Sequence, residues 1–161
     1  MATFVTATKL RNILLNAIGG RIALNGTNGI AELNGYAYLA LSSTAPSYTA
    51  TGDITGITEP PTAQGYERKL IGHSTEVSTL LMGSASNGQM TNAEEIHFNQ
   101  AKEAADGGTG WGAELKYFAI YNTKTGGSPI LAGELTTGIT VAAGYVVIIK
   151  EGQLVLKMNP V

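Results

Sequence analysis

The chain has 161 residues, with 10 Lys and Arg against 12 Asp and Glu for a formal net charge of -2. Only 14% of residues are charged, against about 25% in an ordinary soluble domain, so no basic footprint for nucleic acid is present. Cysteine is absent, which excludes disulfides, thiolate metal sites and cysteine nucleophiles.

Near the start, Lys9, Arg11, Asn12 and Asn16 interrupt an apolar stretch. No run approaches the ~18 apolar residues of a bilayer span, and the charges sit inside the region where a secretory leader needs an unbroken apolar core. The chain is therefore expected to stay in the cytoplasm where it is made. Asn25-Gly26-Thr27 fits the glycosylation sequon, which is uninformative without a secretory route. Leu10, Ile13, Leu14, Ala17 and Ile18 recur at i, i+3, i+4, i+7 and i+8, which predicts a helix over 8–18. Thr6 or Thr8 supplies its N-cap and Gly19-Gly20 its left-handed end. The apolar stripe needs a partner, either the chain's own sheet or a neighbouring subunit. Leu10, Ile13 and Leu14 are the candidate subunit or particle interface.

Tyr36 to Leu41 reads as a strand entering the Ser42-Ser43-Thr44-Ala45-Pro46 cluster. Ser47 to Gly65 holds little that could build a core and predicts an exposed loop, and loops of that length carry function. Tyr48 within it is the candidate recognition residue. Tyr66 to Ile71 resumes an extended pattern, and Leu80 to Thr91 reads as a strand end followed by a turn. Ile96 and Phe98 share one face of a short strand. Ala101 to Asp106 fits a helical turn, and Gly107 to Gly110 a flexible loop.

Leu115 to Tyr121 predicts a central strand, with Phe118 and Ile120 facing the core and Tyr117, Ala119 and Tyr121 on the other face. Short strands around residues 129–132, 139–141, 145–149 and 154–156 follow, with Glu151-Gly152 as the expected hairpin turn between the last two. No helices intervene to make parallel crossovers. The pattern predicts an all-β fold, an antiparallel β-sandwich with a jelly roll as candidate topology. One domain is expected to span 1–161, with residues 1–20 as an N-terminal helical arm.

The chemistry-bearing residues are sparse. His73 and His97 are the two histidines, and Glu94 or Glu95 with His97 falls short of a metal site's ligand count. Serines, His97 and Asp53 or Asp106 permit a triad on paper, but the Gly-x-Ser-x-Gly elbow is absent. Gly108-x-Gly110-x-x-Ala113 meets the relaxed dinucleotide fingerprint, yet a strand follows it where a helix is required. No phosphate loop is present. These missing constellations argue against an enzyme, and no catalytic residue, cofactor or metal is expected.

Several segments together resemble a family. They are the leading helix, the strand ending in Leu41-Ser42-Ser43-Thr44-Ala45-Pro46, Glu59-Pro60 leading to Gly65-Tyr66-Glu67-Arg68, and Trp111 followed by Tyr117-Phe118-Ala119-Ile120-Tyr121 and the Asn122 to Gly127 turn. Leu135-Thr136 before the terminal strands also fits. In order and spacing the chain resembles small bacteriophage virion proteins of tail-fibre or minor structural type, with Asn122 where that pattern carries Asp. The resemblance implies a structural component of the virion, displayed on the tail or on the capsid as an accessory or decoration protein. It implies other virion proteins as partners and a homo-oligomer, a trimer by preference, assembled in the host bacterial cytoplasm. The alternative is a module that binds a host-surface glycan or receptor. Neither nucleic acid nor a membrane is an expected partner.

Overall fold

In the computed structural model, which describes residues 7–21, 23 and 33–157, the periodic stretch near the start forms helix α1, Ala7–Ile18. It ends as its glycines demand: the Gly19, Gly20 and Arg21 amides donate to the carbonyls of Leu15, Ala17 and Asn16 at 2.8, 3.1 and 2.8 Å, with Gly20 at φ 72. Among the described residues ten strands follow: β1 (Tyr36–Ser42), β2 (Ser47–Tyr48), β3 (Ile54–Thr55), β4 (Lys69–His73), β5 (Gln89–Thr91), β6 (Ile96–His97), β7 (Leu115–Tyr121), β8 (Leu131–Ile139), β9 (Ile148–Ile149) and β10 (Val155–Lys157). The main sheet has the order β4-β1-β7-β8, and β10-β5, β2-β3 and β6-β9 form two-stranded ribbons. Pairings of β1 with β7, β7 with β8, β10 with β5 and β2 with β3 are all antiparallel. The fold is all-β with one helix, as the spacing of turns and the lack of crossover helices predict.

The chain divides into two compact units. The first comprises Met1–Ala37, Ile71–Ile96 and Ile149–Val161. Within it α1 buries Leu15, Ala17 and Ile18, while Leu14 is half-buried; the side chains of Leu10 and Ile13 lie outside the described part. The helix packs beside β5 closely enough that a Cβ on Gly19 would lie 2.5 Å from Met90 Sδ. Its polar side is engaged too. Asn12 Oδ1 accepts from the Gly88 amide at 2.8 Å, and Asn16 Oδ1 from the Ala85 amide at 2.9 Å. Both hold the 85–88 segment, where Ser86 and Gln89 exchange backbone hydrogen bonds of 2.8 and 2.9 Å around Asn87-Gly88. Positive φ at both central residues is what such a two-residue hairpin turn requires.

The expected hairpin at Glu151-Gly152 is corrected here. A turn forms there, but β9 and β10 on either side of it do not pair with one another: β10 pairs with β5 and β9 with β6. The physical reason is Asn92, which is 1% exposed. Its Nδ2 donates to the Glu94 and Lys150 carbonyls, both at 2.8 Å, and its Oδ1 accepts from the Leu154 amide at 2.8 Å. A single buried amide thus draws the 150–154 segment to β5 and satisfies groups that burial would otherwise leave unpaired.

The second unit comprises Tyr38–Leu70 and His97–Ile148. In β1 and β7 the register pairs Leu39 with Ile120 and Leu41 with Phe118 on one face, and Tyr38 with Tyr121 and Ala40 with Ala119 on the other. The first face is core, as the alternation predicts. The second is covered as well: Ala40, Ala119 and Tyr121 are buried against Tyr38, Ile57 and Ala132. The 47–65 segment supplies Ile57 to this face, so a stretch expected to be an exposed loop contributes to packing. It also holds the β2-β3 ribbon and a 3-10 turn at Thr62–Gln64. The helical turn expected within 101–106 is the 3-10 turn Ala104–Asp106.

Candidate functional site

Ser42 at the end of β1 is fully buried, and its hydroxyl joins the two arms of the segment that follows. It accepts from the Thr44 and Thr58 amides at 3.2 and 3.0 Å and donates to the Thr44 carbonyl at 2.9 Å. From that base the β2-β3 ribbon projects with Tyr48 opposite Ile54. Its tip is closed by the Thr49 amide on the Asp53 carbonyl at 2.9 Å and by the Thr51 hydroxyl on Asp53 Oδ2 at 2.6 Å. Tyr48 is 63% exposed, so an aromatic ring stands outward on an internally hydrogen-bonded hairpin.

Past the hairpin, the motif segments 59–60 and 65–68 meet the turn after β7 in one clamp. Arg68 grips the Glu59 carboxylate from the side and the end of its guanidinium: Nε lies 3.0 and 3.1 Å from the two carboxylate oxygens and Nη2 2.6 Å from Oε1. Its Nη1 donates to the carbonyls of Thr123 and Gly126 at 3.0 and 2.7 Å, and its Cζ lies 3.4 Å from the centre of the Tyr121 ring. The planar, many-donor guanidinium is the group suited to this task. Tyr66, 1% exposed, completes it: its hydroxyl donates to Glu59 Oε2 at 3.0 Å and accepts from the Leu41 amide at 3.0 Å. Burial above all, then the neighbouring Glu59 charge, pushes the Tyr66 hydroxyl's pKa far above the ordinary tyrosine value. Burial also raises Tyr121. Both rings therefore stay neutral at ordinary pH.

An aromatic cluster backs the clamp. Trp111 meets Tyr66 edge to face at 5.2 Å and Phe98 at 6.1 Å, and its indole N–H donates to the Gln64 carbonyl at 3.2 Å. In front of the clamp lies a cleft of about 420 Å³ walled by Pro60, Thr62, Tyr66, Asn99 and Thr125 with the clamp residues. At its rim Lys124 Nζ stands 3.1 Å from Glu67 Oε2. The arrangement holds two loops against a sheet and leaves a shaped, charge-balanced recess beside them.

Tyr48 stands on its hairpin, Leu14 is half-buried on α1, and Leu10 and Ile13 have side chains outside the described part. His97 lies exposed on β6, whereas His73 stacks on Tyr36 with ring centres 3.9 Å apart and Nδ1 3.5 Å from Glu76 Oε1. Among the described residues no group of three or more His, Asp or Glu side chains could hold a metal ion, and no helix is long and apolar enough to cross a membrane. The sequence alone does not mark the clamp as a site. Its only signal was that Glu59, Tyr66, Arg68 and Tyr121 all belong to the quoted motifs.

No curated protein matches the chain at a significant level. The model of one family, described as Podophage GP4 fiber I protein gp80, matches residues 7–157, a span that includes the Ser42 junction, the clamp and every strand. The chain belongs to the podophage GP4 fiber I protein gp80 family, and is accordingly a bacteriophage virion structural protein of tail-fibre type.

Proposed function

We infer that the chain is a non-catalytic building module of the phage tail fibre, rather than a decoration protein of the capsid. The observation that carries this reading is the Arg68 clamp. Its carboxylate, guanidinium and phenol are engaged with one another and with backbone, which suits holding loops in place and leaves no group in the clamp poised for proton transfer. The fibre family match supports the tail over the head. Exposed Tyr145, Val146 and Ile148, at 67%, 45% and 46%, give the second unit an apolar surface of the kind that self-association covers. A homo-oligomer, a trimer by preference, assembled in the host cytoplasm with other virion proteins, is the form in which the module works.

The test is electron microscopy of particles made without this chain. Loss or shortening of the fibre with an intact capsid is the expected result, whereas normal fibres on fragile capsids would overturn the reading. Light scattering of the purified chain at several concentrations addresses self-association. A mass that stays monomeric at every concentration would contradict it.

A second reading, recognition of a host-surface glycan or receptor, is favoured by Tyr48 alone. Aromatic rings on ordered hairpins supply contact area at low entropic cost. Particles carrying Tyr48→Ala should adsorb to host cells more slowly if this reading holds, and at the unchanged rate if it does not.

A further inference from the structure

The cleft beside Arg68 has walls fixed by contacts that no ligand needs to supply. On one side the turn that brings Thr62 and Gly65 to the cleft is held through its Gln64 carbonyl, which accepts from the Trp111 indole at 3.2 Å and the Lys102 amide at 2.9 Å. On the other, Arg68 holds the carbonyls of Thr123 and Gly126. A recess of about 420 Å³ with both walls pinned is a preformed site, inside the roughly 300–1,000 Å³ range of small-molecule pockets.

Its charges cancel where they stand. Arg68 is paired with Glu59, the side chains being 8% and 22% exposed, and Lys124 with Glu67. An anionic ligand would have to displace Glu59 from Arg68 and leave that largely buried carboxylate uncompensated, while Lys124 and Glu67, 57% and 51% exposed, neutralise each other at the rim. The uncommitted polar groups are neutral. The Thr62 and Thr125 hydroxyls and the Asn99 amide line the cleft, are exposed, and have no hydrogen-bond partner among the described residues. Hydroxyls and an amide present donors and acceptors together, as the adjacent hydroxyls of a sugar ring do.

We propose that this cleft binds a neutral saccharide, through Thr62, Asn99 and Thr125. The site stands apart from Tyr48, and the proposal does not depend on the fibre role.

The test is a nuclear magnetic resonance titration of the full chain with methyl glycosides of glucose, galactose, mannose and N-acetylglucosamine and with neutral bacterial polysaccharides. Glucuronic acid, N-acetylneuraminic acid and inorganic phosphate are the charged comparators. At least one neutral sugar should shift the amide signals of Thr62, Asn99 and Thr125, and the charged probes should not. Asn99→Ala and Thr125→Ala, both at exposed positions, should each weaken binding about three- to tenfold, with Trp111 fluorescence unchanged as the check on folding. Equal binding per ring by glycoside and polymer assigns the site to free sugar, and binding by polymer alone assigns it to a surface polysaccharide; both support the proposal. Unmoved signals with every neutral probe, tighter binding of the charged ones, or undiminished binding by both variants would overturn it.

Discussion

The guanidinium carbon of Arg68 lies 3.4 Å above the ring centre of Tyr121, so the last residue of β7 and the segment after the 3-10 turn are locked face to face. Stacking, a carboxylate pair and two carbonyl contacts converge on one side chain. Arg68→Lys keeps the charge but loses the fork and the planar stack, and Arg68→Ala strands the Glu59 carboxylate beside a buried phenol. Arg68→Ala should destabilise by about 3 kcal/mol and Arg68→Lys by roughly half of that or more. Urea unfolding followed by the fluorescence of Trp111, the only tryptophan, reads both values.

Tyr66 gives a pH dependence with a definite sign. Burial and Glu59 raise its pKa in the folded state, whereas in the unfolded chain it titrates near about 10. Below that value both states hold the proton and stability is unaffected. Above it only the unfolded state ionises, so stability falls by about 1.4 kcal/mol per pH unit for this group, and raised Tyr121 acts in the same direction. Tyr66→Phe should cost about 1–3 kcal/mol at pH 7, because the buried Leu41 amide loses its acceptor, and should flatten the alkaline slope. Denaturation from pH 8 to 11 tests both.

Asn92→Ala removes three side-chain hydrogen bonds to backbone, one of them to the buried Leu154 amide, and should destabilise by roughly 2–4 kcal/mol. Asn92→Asp keeps the acceptor for Leu154 but loses both donations to carbonyls, so it should not restore the wild-type value. Amide exchange at Leu154 should accelerate in Asn92→Ala far more than in Asn92→Asp.

Gly133 of β8 sits over the Phe118 ring, where an added Cβ would lie 2.7 Å from Cε1. Gly133→Ala should cost about 1–3 kcal/mol by overpacking, and Phe118→Ala about 3–5 kcal/mol through the lost ring and its cavity. The Gly133→Ala/Phe118→Ala double variant should cost less than the two singles added together, which thermal unfolding in a double-mutant cycle measures.

The local rules made the helix and the central strand legible. Five apolar residues at helical spacing and a Gly-Gly stop place α1 within one residue of its observed start, and β-branched and aromatic residues mark β7. Leu15 stands beside the counted stripe, yet it is buried on a helix that packs beside β5, a neighbour that periodicity does not reveal. The covered second face of β7 escaped for a similar reason: Ala119 and Tyr121 are buried by Ile57, which arrives from a segment whose composition reads as loop. The pairing of β10 with β5 rests on Asn92 reaching Leu154 across 62 positions, and no turn signal encodes a contact of that range. In the candidate site, charge and phenol came from separate short motifs, so periodicity could name the residues without joining them.

On the proposed reading this chain is part of the tail fibre. The tip of the β2-β3 hairpin allows a direct measurement, because it is exposed and Gly52 has nothing within 4 Å of the position of an added Cβ, so an epitope inserted there points into open space. Antibody-labelled particles carrying that insertion should show label along the fibre in electron micrographs. Label on the capsid, or purified particles that carry none while the chain is abundant in the lysate, would contradict the account.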